Sequence, residues 1–345
     1  MKPAENLQGL KLPGNWTVVN ILTKKPTATG GHFSTGYIVE NDDGRKAFLK
    51  AMDYIAAFQA PNTAEVLQAM TSAYLFEKDV CERCRNQSLK RVVHAIDSGT
   101  IVTSPDQPAS KVEYLIFELA DGDIRAHLDA QQGFDLAFAL RALHNVAAGL
   151  EQLHRAGIAH QDLKPSNVLV FQGDKGSKIG DLGRAWSKDH QAPHDVYPIA
   201  GEWGYAPPEL LYRQIPTEAG MRRFGCDMYH LGSLIVFMFT RAHMTGLLTQ
   251  HLAPEHRAYN WAGTYAEVLP YVQVAFGMAL QEFEGHTPSL FTSCLTEMVK
   301  QLCELDPPRR GHPLNRQGDP HSLERYISKL NLLAHKAETQ LIGGN

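Results

Sequence analysis

In the first third of the chain, apolar and polar positions alternate in short runs. Residues 15–22 (NWTVVNIL), 36–40 (GYIVE) and 45–52 (RKAFLKAM) read as strands, and NDDG at 41–44 supplies a hairpin turn between the last two. From residue 63 to 84 the period lengthens. Val66, Met70, Ala73, Phe76 and Val80 recur at three- and four-residue steps, which predicts an amphipathic helix. Two more strands follow, RVVHAID at 91–97 and VEYLIFEL at 112–119, joined by the loop SPDQPAS. After ADGD at 120–123 the character changes. Residues 135–156 form a long apolar-periodic helix that stops at Gly157. Short strands are expected around NVLVF and SKIGD, then a loop of mixed polarity to Pro208, then mostly helix to residue 338. There is no internal repeat or low-complexity tract.

Composition narrows the class. The 345 residues are 43% hydrophobic and 20% charged, as in an ordinary globular protein long enough for one large domain or two lobes. A formal net charge of −4 gives no support to a nucleic-acid or anionic-membrane partner. No stretch approaches the roughly 18 consecutive apolar residues that span a bilayer, and the longest run, SLIVFMF at 233–239, suits a buried helix. The opening MKPAENLQGLKLPGN lacks the apolar segment of a secretory signal. Five cysteines, an odd number, fit a reducing compartment. The expectation is a cytoplasmic protein, its oligomeric state left open.

The segment HQDLKPSN at 160–167 sets Asp162, Lys164 and Asn167 in a stretch too short and Pro-interrupted for a helix, just ahead of β-branched residues. Alone, such residues build a turn. Three further stretches change that reading: GDLG at 180–183, PPE at 207–209 and AFLK at 47–50. The four stand, in order and at sensible gaps, for the patterns H-R-D-L-x-x-x-N, D-F-G, A-P-E and V-A-I-K. Through them the chain resembles the eukaryotic-type protein kinases over nearly its whole length.

That resemblance implies an α+β fold of two lobes: a small β-rich N-lobe with one key helix and a larger, mostly helical C-lobe. Residues 1–14 would be an N-terminal extension, 15–120 the nucleotide-binding lobe, 121–338 the catalytic and substrate-binding lobe, and 339–345 a tail. It further implies ATP and Mg2+ as cofactors and a protein as substrate, with Lys164 favouring Ser/Thr over Tyr acceptors. The chemistry asks for such groups, because phosphoryl transfer is mainly positioning and charge neutralisation. Asp162 would orient the acceptor hydroxyl, Asn167 and Asp181 would hold metal, and Lys164 would neutralise the γ-phosphoryl group. Lys50 would contact the α/β-phosphates with a helix acid as partner, either Glu77 or Asp79. Glu77 is favoured, since Cys81 four residues on suits a buried face and Arg83, four after Asp79, does not. In the nucleotide-covering loop TGGHFSTGY only Gly31 matches a family glycine, the others falling at Thr29 and Ser34, with Phe33 between them. Phe117 would limit depth behind the adenine, the backbones of Glu118 and Ala120 would bond its edge, and Ala47 and Leu169 would sandwich it. Asp227 resembles the helix-borne acid that braces the catalytic loop, and Glu209 with Arg310 the buried ion pair on the substrate side.

Two departures stand out. Gln161 occupies the place of an Arg that, in many kinases, binds a phosphate on the activation segment. Between Asp181 and Gly201 the only hydroxyl residues are Ser187 and Tyr197. Together these predict activity that does not need activation-segment phosphorylation. Glu202 replaces a Thr; it would pair with Lys164 or repel Asp162 and the phosphates. CERC at 81–84 is a lone pair on a helix and reads as buried small residues, HQAPH at 190–194 as a solvated loop, and His160 as packed inside the catalytic loop. The segment 241–290 is a partner surface or extra core. Two rival readings stay open, a pseudokinase acting as a binding module and a small-molecule phosphotransferase of the same fold.

Overall fold

A computed structural model describes residues 2–22, 34–104, 110–131, 133–171 and 176–343, with side chains to 339. Gly31, Thr29 and Phe33 lie outside the described residues. The N-terminal part is an antiparallel sheet of β1 (Lys11–Leu12), β2 (Trp16–Leu22), β3 (Ser34–Asn41), β4 (Lys46–Met52), then α1 (Ile55–Gln59), α2 (Thr63–Asn86), β5 (Ala95–Val102) and β6 (Lys111–Glu118). Strand order is β1-β2-β3-β4-β6-β5, and the β3–β4 hairpin pairs from Ser34↔Met52 to Glu40↔Lys46. One face packs on α2. The other is covered by the first dozen residues, where Ala4, Leu7 and Leu12 join Trp16, Tyr37 and Ile116 in a separate apolar cluster. The Tyr37 hydroxyl donates to the Ala4 carbonyl at 2.8 Å.

The strand expected at 91–97 begins instead at Ala95. Val92 and Val93 are buried, but they pair with Ile179 of the other lobe rather than with the sheet. That β-branched stretch is therefore a seam between the lobes.

The C-terminal part runs β7 (Gly122–Asp123), α3 (Ile124–Ala130), α4 (Leu136–Arg155), β8 (Ile158–Ala159), β9 (Val168–Phe171), β10 (Gly176–Ile179) and β11 (Trp186–Ser187). Helices α5 (Pro208–Leu211), α6 (Ala219–Thr240), α7 (Met244–His251), α8 (Tyr265–His286), α9 (Ser289–Leu302) and α10 (Glu324–Gly343) follow. Helix α4 starts where the Asp135 side chain accepts from the Phe138 N–H and ends at Gly157, whose φ of +70° suits a residue without a Cβ. Its apolar face and nearly all of residues 225–239 of α6 form the core of this lobe. No single helix among the described residues is long and apolar enough to cross a membrane. The result is the two-lobed α+β architecture, with β9–β10 and the loops around it facing the sheet.

Candidate active site

Strand alternation decides what β4 presents to the space between the lobes. Ala47, Leu49 and Ala51 turn to the outer cluster, whereas Phe48 and Lys50 turn toward α2 and β6. The expectation for Ala47 is therefore corrected: it lies on the face opposite Lys50, and Phe48, ring centroid 6.4 Å from that of Phe117, holds the position facing the cleft. Lys50 Nζ sits 2.7 Å from Glu77 Oε1, 3.0 Å from Oε2 and 3.0 Å from Asp181 Oδ1. Glu77 shares the buried face of α2 with Phe76, Val80 and Cys81, while Asp79 faces outward and meets His190 Nδ1 at 2.7 Å.

These charges are tightly coupled. Burial alone would lower the Lys50 ammonium, but Asp181 and Glu77 outweigh it and hold it well above its ordinary value. Lys50, chiefly, brings the Asp181 carboxyl down to about 2, while burial pushes Glu77 up against the pull of Lys50. Asp181 keeps 45% of its side chain exposed and so faces an accessible space.

The loop after β8 hangs from Asp227. That fully buried carboxylate accepts the His160 and Gln161 N–H groups, each at 2.7 Å, and lies 3.0 Å from His154 Nε2. Gln161 at φ +62° and Asp181 at φ +57° are left-handed without being glycine. Each such conformation costs on the order of 1–3 kcal/mol and persists only where surrounding bonds enforce it. Asp227 provides that enforcement at Gln161.

Lys164, in an extended segment two residues beyond Asp162, reaches back to its Oδ2 at 2.8 Å. Asn167 Nδ2 donates to the Asp162 carbonyl at 2.8 Å and to Oδ2 at 3.1 Å, which leaves its amide oxygen for a hard cation. Asp181 and Asn167 make a two-group oxygen set of the kind Mg2+ uses together with phosphate oxygens and water. Among the described residues no group of three or more His, Cys, Asp or Glu gathers as a metal cage.

Gly201 presses the later chain onto this loop, since a Cβ there would stand 2.4 Å from the Gln161 carbonyl and 2.7 Å from Asp162 Oδ1. Only glycine allows that approach. It brings the Glu202 N–H to Asp162 Oδ1 at 2.7 Å and Glu202 Oε2 to Lys164 Nζ at 3.1 Å. Of the two behaviours expected of Glu202, pairing is the one found. Burial lowers Lys164, but Asp162 and Glu202 more than reverse that and raise it.

The linker between lobes is anchored by Glu118, whose carboxylate accepts from Lys178 at 2.7 and 2.8 Å and from the His94 N–H at 2.9 Å. Its own N–H donates to the His94 carbonyl. Ala120 is half-buried just past β6, and Leu169 is half-buried on β9 opposite Lys178.

In the C-terminal lobe Arg310 and Glu209 form a bidentate pair at 2.7 and 2.9 Å, with the guanidinium 5.4 Å from the centre of the Tyr229 ring. In the segment after Asp181, Ser187 is 3% exposed and takes a bond from Arg83 Nη1 at 2.6 Å; Arg83 Nη2 also holds Asp189 at 2.7 Å. Gln161 accepts from Arg223 and donates to the Arg184 carbonyl, and Arg223 Nη2 lies 3.1 Å from Asp195 Oδ1. Arg83, Phe48, Lys178 and Arg223 were not singled out by the motifs. Only Phe48 carried a signal, its place two residues before Lys50 on a strand. Cys81 and Cys84 are buried, and burial pushes the Cys84 thiol up to about 12. His194, rather than staying solvated, is buried and bonds the Ala185 carbonyl at 2.8 Å. The inner faces of α7 and α8 are core, while Tyr271, Val274 and Met278 of α8 are exposed.

Comparison with known proteins agrees with this geometry. The family model described as "Protein kinase domain" matches residues 31–315. The chain is 34% identical over 179 residues to the human "Serine/threonine-protein kinase H2", half of this chain and 42% of that protein. It is 27% identical over 203 residues to the "Calcium and calcium/calmodulin-dependent serine/threonine-protein kinase" of Lilium longiflorum, 57% of this chain and 33% of the relative. To "Mitogen-activated protein kinase 5" of Arabidopsis thaliana it is 22% identical over 276 residues, covering 75% and 70%. The chain thus spans only a third to two-fifths of the first two of these relatives. The matched span, running from Gly31 past Arg310, takes in every acid, amide and ammonium group assembled above, and the chain belongs to the protein kinase domain family.

Proposed function

We propose that the protein transfers the γ-phosphoryl group of ATP to Ser or Thr hydroxyls of protein substrates. The observation that carries this is a pair of bonded groups drawn from both lobes, Glu77–Lys50–Asp181 and Asn167–Asp162–Lys164, tied through the backbone where the Gly180 N–H donates to the Asn167 carbonyl at 2.8 Å. Lys50, drawn between two carboxylates, is poised to move onto phosphate oxygens, and α2 is already in the position that lets Glu77 hold it. Asp162, its carboxylate oriented by Lys164, Asn167 and the Glu202 N–H, would accept a hydrogen bond from the acceptor hydroxyl and set its lone pair toward phosphorus. Mg2+, when bound through Asp181 and Asn167, would neutralise charge on the phosphates. Glu118 and Ala120 offer backbone groups for the adenine edge, and Leu169 with Phe48 the apolar walls.

We infer that activation-segment phosphorylation is dispensable. Ser187 is buried under Arg83, and the segment is already held by Arg83–Asp189 and Arg223–Asp195, while neutral Gln161 needs no anion. Double substitution Ser187→Ala, Tyr197→Phe should therefore leave phosphoryl transfer standing; its complete loss would contradict the inference. The five unpaired cysteines fit a cytoplasmic setting. The decisive test is transfer of label from γ-labelled ATP to a generic protein, run beside aminoglycosides and sugars. Asp162→Asn should lower incorporation about 10²–10⁴-fold. Equal incorporation by wild type and variant would end the catalytic reading, and label on small molecules alone would move it to another substrate class.

A further inference from the structure

We propose that Glu202 and the indole of Trp203 form a cation subsite beside the acceptor hydroxyl. Preferred substrates would then carry Arg or Lys directly adjacent to the phosphorylated Ser or Thr. This rests on the reading of Asp162 as the group that orients that hydroxyl.

The placement is tight. The Glu202 N–H donates to one Asp162 oxygen at 2.7 Å, and Glu202 Oε2 shares the Lys164 ammonium with the other Asp162 oxygen, at 3.1 and 2.8 Å. Consecutive residues of an extended peptide advance about 3.3–3.6 Å. A hydroxyl held by Asp162 therefore puts its neighbouring side chain within reach of the Glu202 carboxylate. That carboxylate is not sealed in, since 31% of the Glu202 side chain is exposed.

Trp203 follows immediately. It is 52% exposed and its ring packs on no other aromatic ring among the described residues. At Gly204 a Cβ would meet nothing within 4 Å beyond its chain neighbours, so the backbone that follows Trp203 borders open space. A partly exposed carboxylate followed in the chain by an exposed indole offers an ammonium or guanidinium an ion pair and, at the ring, attraction to the quadrupole.

Charge points the same way. Within the cluster Glu77, Asp162, Asp181 and Glu202 form their ion pairs with Lys50 and Lys164, and Glu202 extends this acidic set beyond Asp162. The other cations nearby are committed elsewhere: Arg125 donates to the Tyr205 hydroxyl at 2.9 Å, Arg222 donates to the Tyr197 carbonyl at 2.8 Å, and His243 stacks on Tyr205.

The test compares matched peptides whose acceptor Ser is flanked, on either side in turn, by Arg, Ala or Glu. Values of kcat/KM are measured on the full chain as wild type, Glu202→Gln, Glu202→Lys and Trp203→Ala. A mere prop for Lys164 would change all peptides alike, so the ratio between peptides is the readout. Wild type should favour Arg over Ala by roughly tenfold, the size of an exposed ion pair with a cation–π contact. Glu202→Gln should bring that ratio toward one, Glu202→Lys should invert it in favour of Glu, and Trp203→Ala should shrink it a few-fold. A wild-type ratio near one, or one that Glu202→Gln leaves intact, with the Ala peptide still phosphorylated, overturns the subsite alone. No label in any peptide or generic protein overturns it together with the kinase reading.

Discussion

Lys50–Glu77 and Arg310–Glu209 both close at 2.7 Å, yet the two pairs are built for opposite ends. Arg310 and Glu209 are 0% and 2% exposed, meet as fork to fork, and have further bonds from Arg310 to the Gly225 and Glu304 carbonyls. A planar guanidinium so engaged has one arrangement. Lys50 is a point charge divided between a helix of one lobe and a loop of the other, on the edge of an accessible space. An ammonium can hand one of its donors to a new oxygen without the rest rearranging. Burial on all sides makes an ion pair a structural brace, whereas burial on one side makes it a binding group in waiting.

The sharpest way to break this comparison is at the brace. Arg310→Met leaves Glu209 buried and unpaired and should cost about 3–5 kcal/mol, while replacing both partners by apolar residues should recover most of that loss; urea unfolding measures both. Lys50→Met should do the reverse. Phosphoryl transfer should fall roughly 10²–10³-fold with a clearly smaller loss of thermal midpoint than Arg310→Met suffers, seen in label transfer and melting on the same preparation. A Lys50 variant that unfolds as readily as the Arg310 variant would erase the distinction.

A third test asks what titrates in the brace region. Burial brings His230, on α6 beside Cys226, down to about 4. The folded protein then refuses a proton that the unfolded chain accepts below its ordinary pKa near 6.5. The contribution of neutral His230 is complete above that pH and fades toward pH 4, at about 1.4 kcal/mol per unit. Melting from pH 7 to 5 should show the slope, and His230→Gln should flatten part of it.

The smallest effect is expected at Arg83→Ala, which loosens α2 from the segment at 187–189. A loss of about 1–2 kcal/mol and a few-fold drop in rate should accompany it, with Lys50→Met epistatic on the rate.

Much of the site was legible in the sequence because its groups lie in short local patterns. Asp162, Lys164 and Asn167 fall within six residues, and Glu77 was separable from Asp79 by the residues one turn on. Helix α4 was readable to within a residue, with a capping acid at one end and Gly157 at the other. The misses have physical causes. Ala47 was read as cleft-facing although period-two alternation from Lys50 assigns that face to Phe48. Val92 and Val93 have the look of sheet residues but are buried against the other lobe. The contacts of Arg83 with Ser187 and Asp189 join residues more than a hundred apart, and no local pattern announces them. The two-residue strand β1 is too short to show any period.

The covering of the sheet's outer face has a consequence for how the chain comes off the ribosome. Ala4, Leu7 and Leu12 are made well before their neighbours Tyr37, Val112 and Ile116. During that interval the segment has only its pairing with β2 to settle on, and the small lobe cannot mature strand by strand. Ala4 and Leu7 must wait, exposed, for β6 to be delivered.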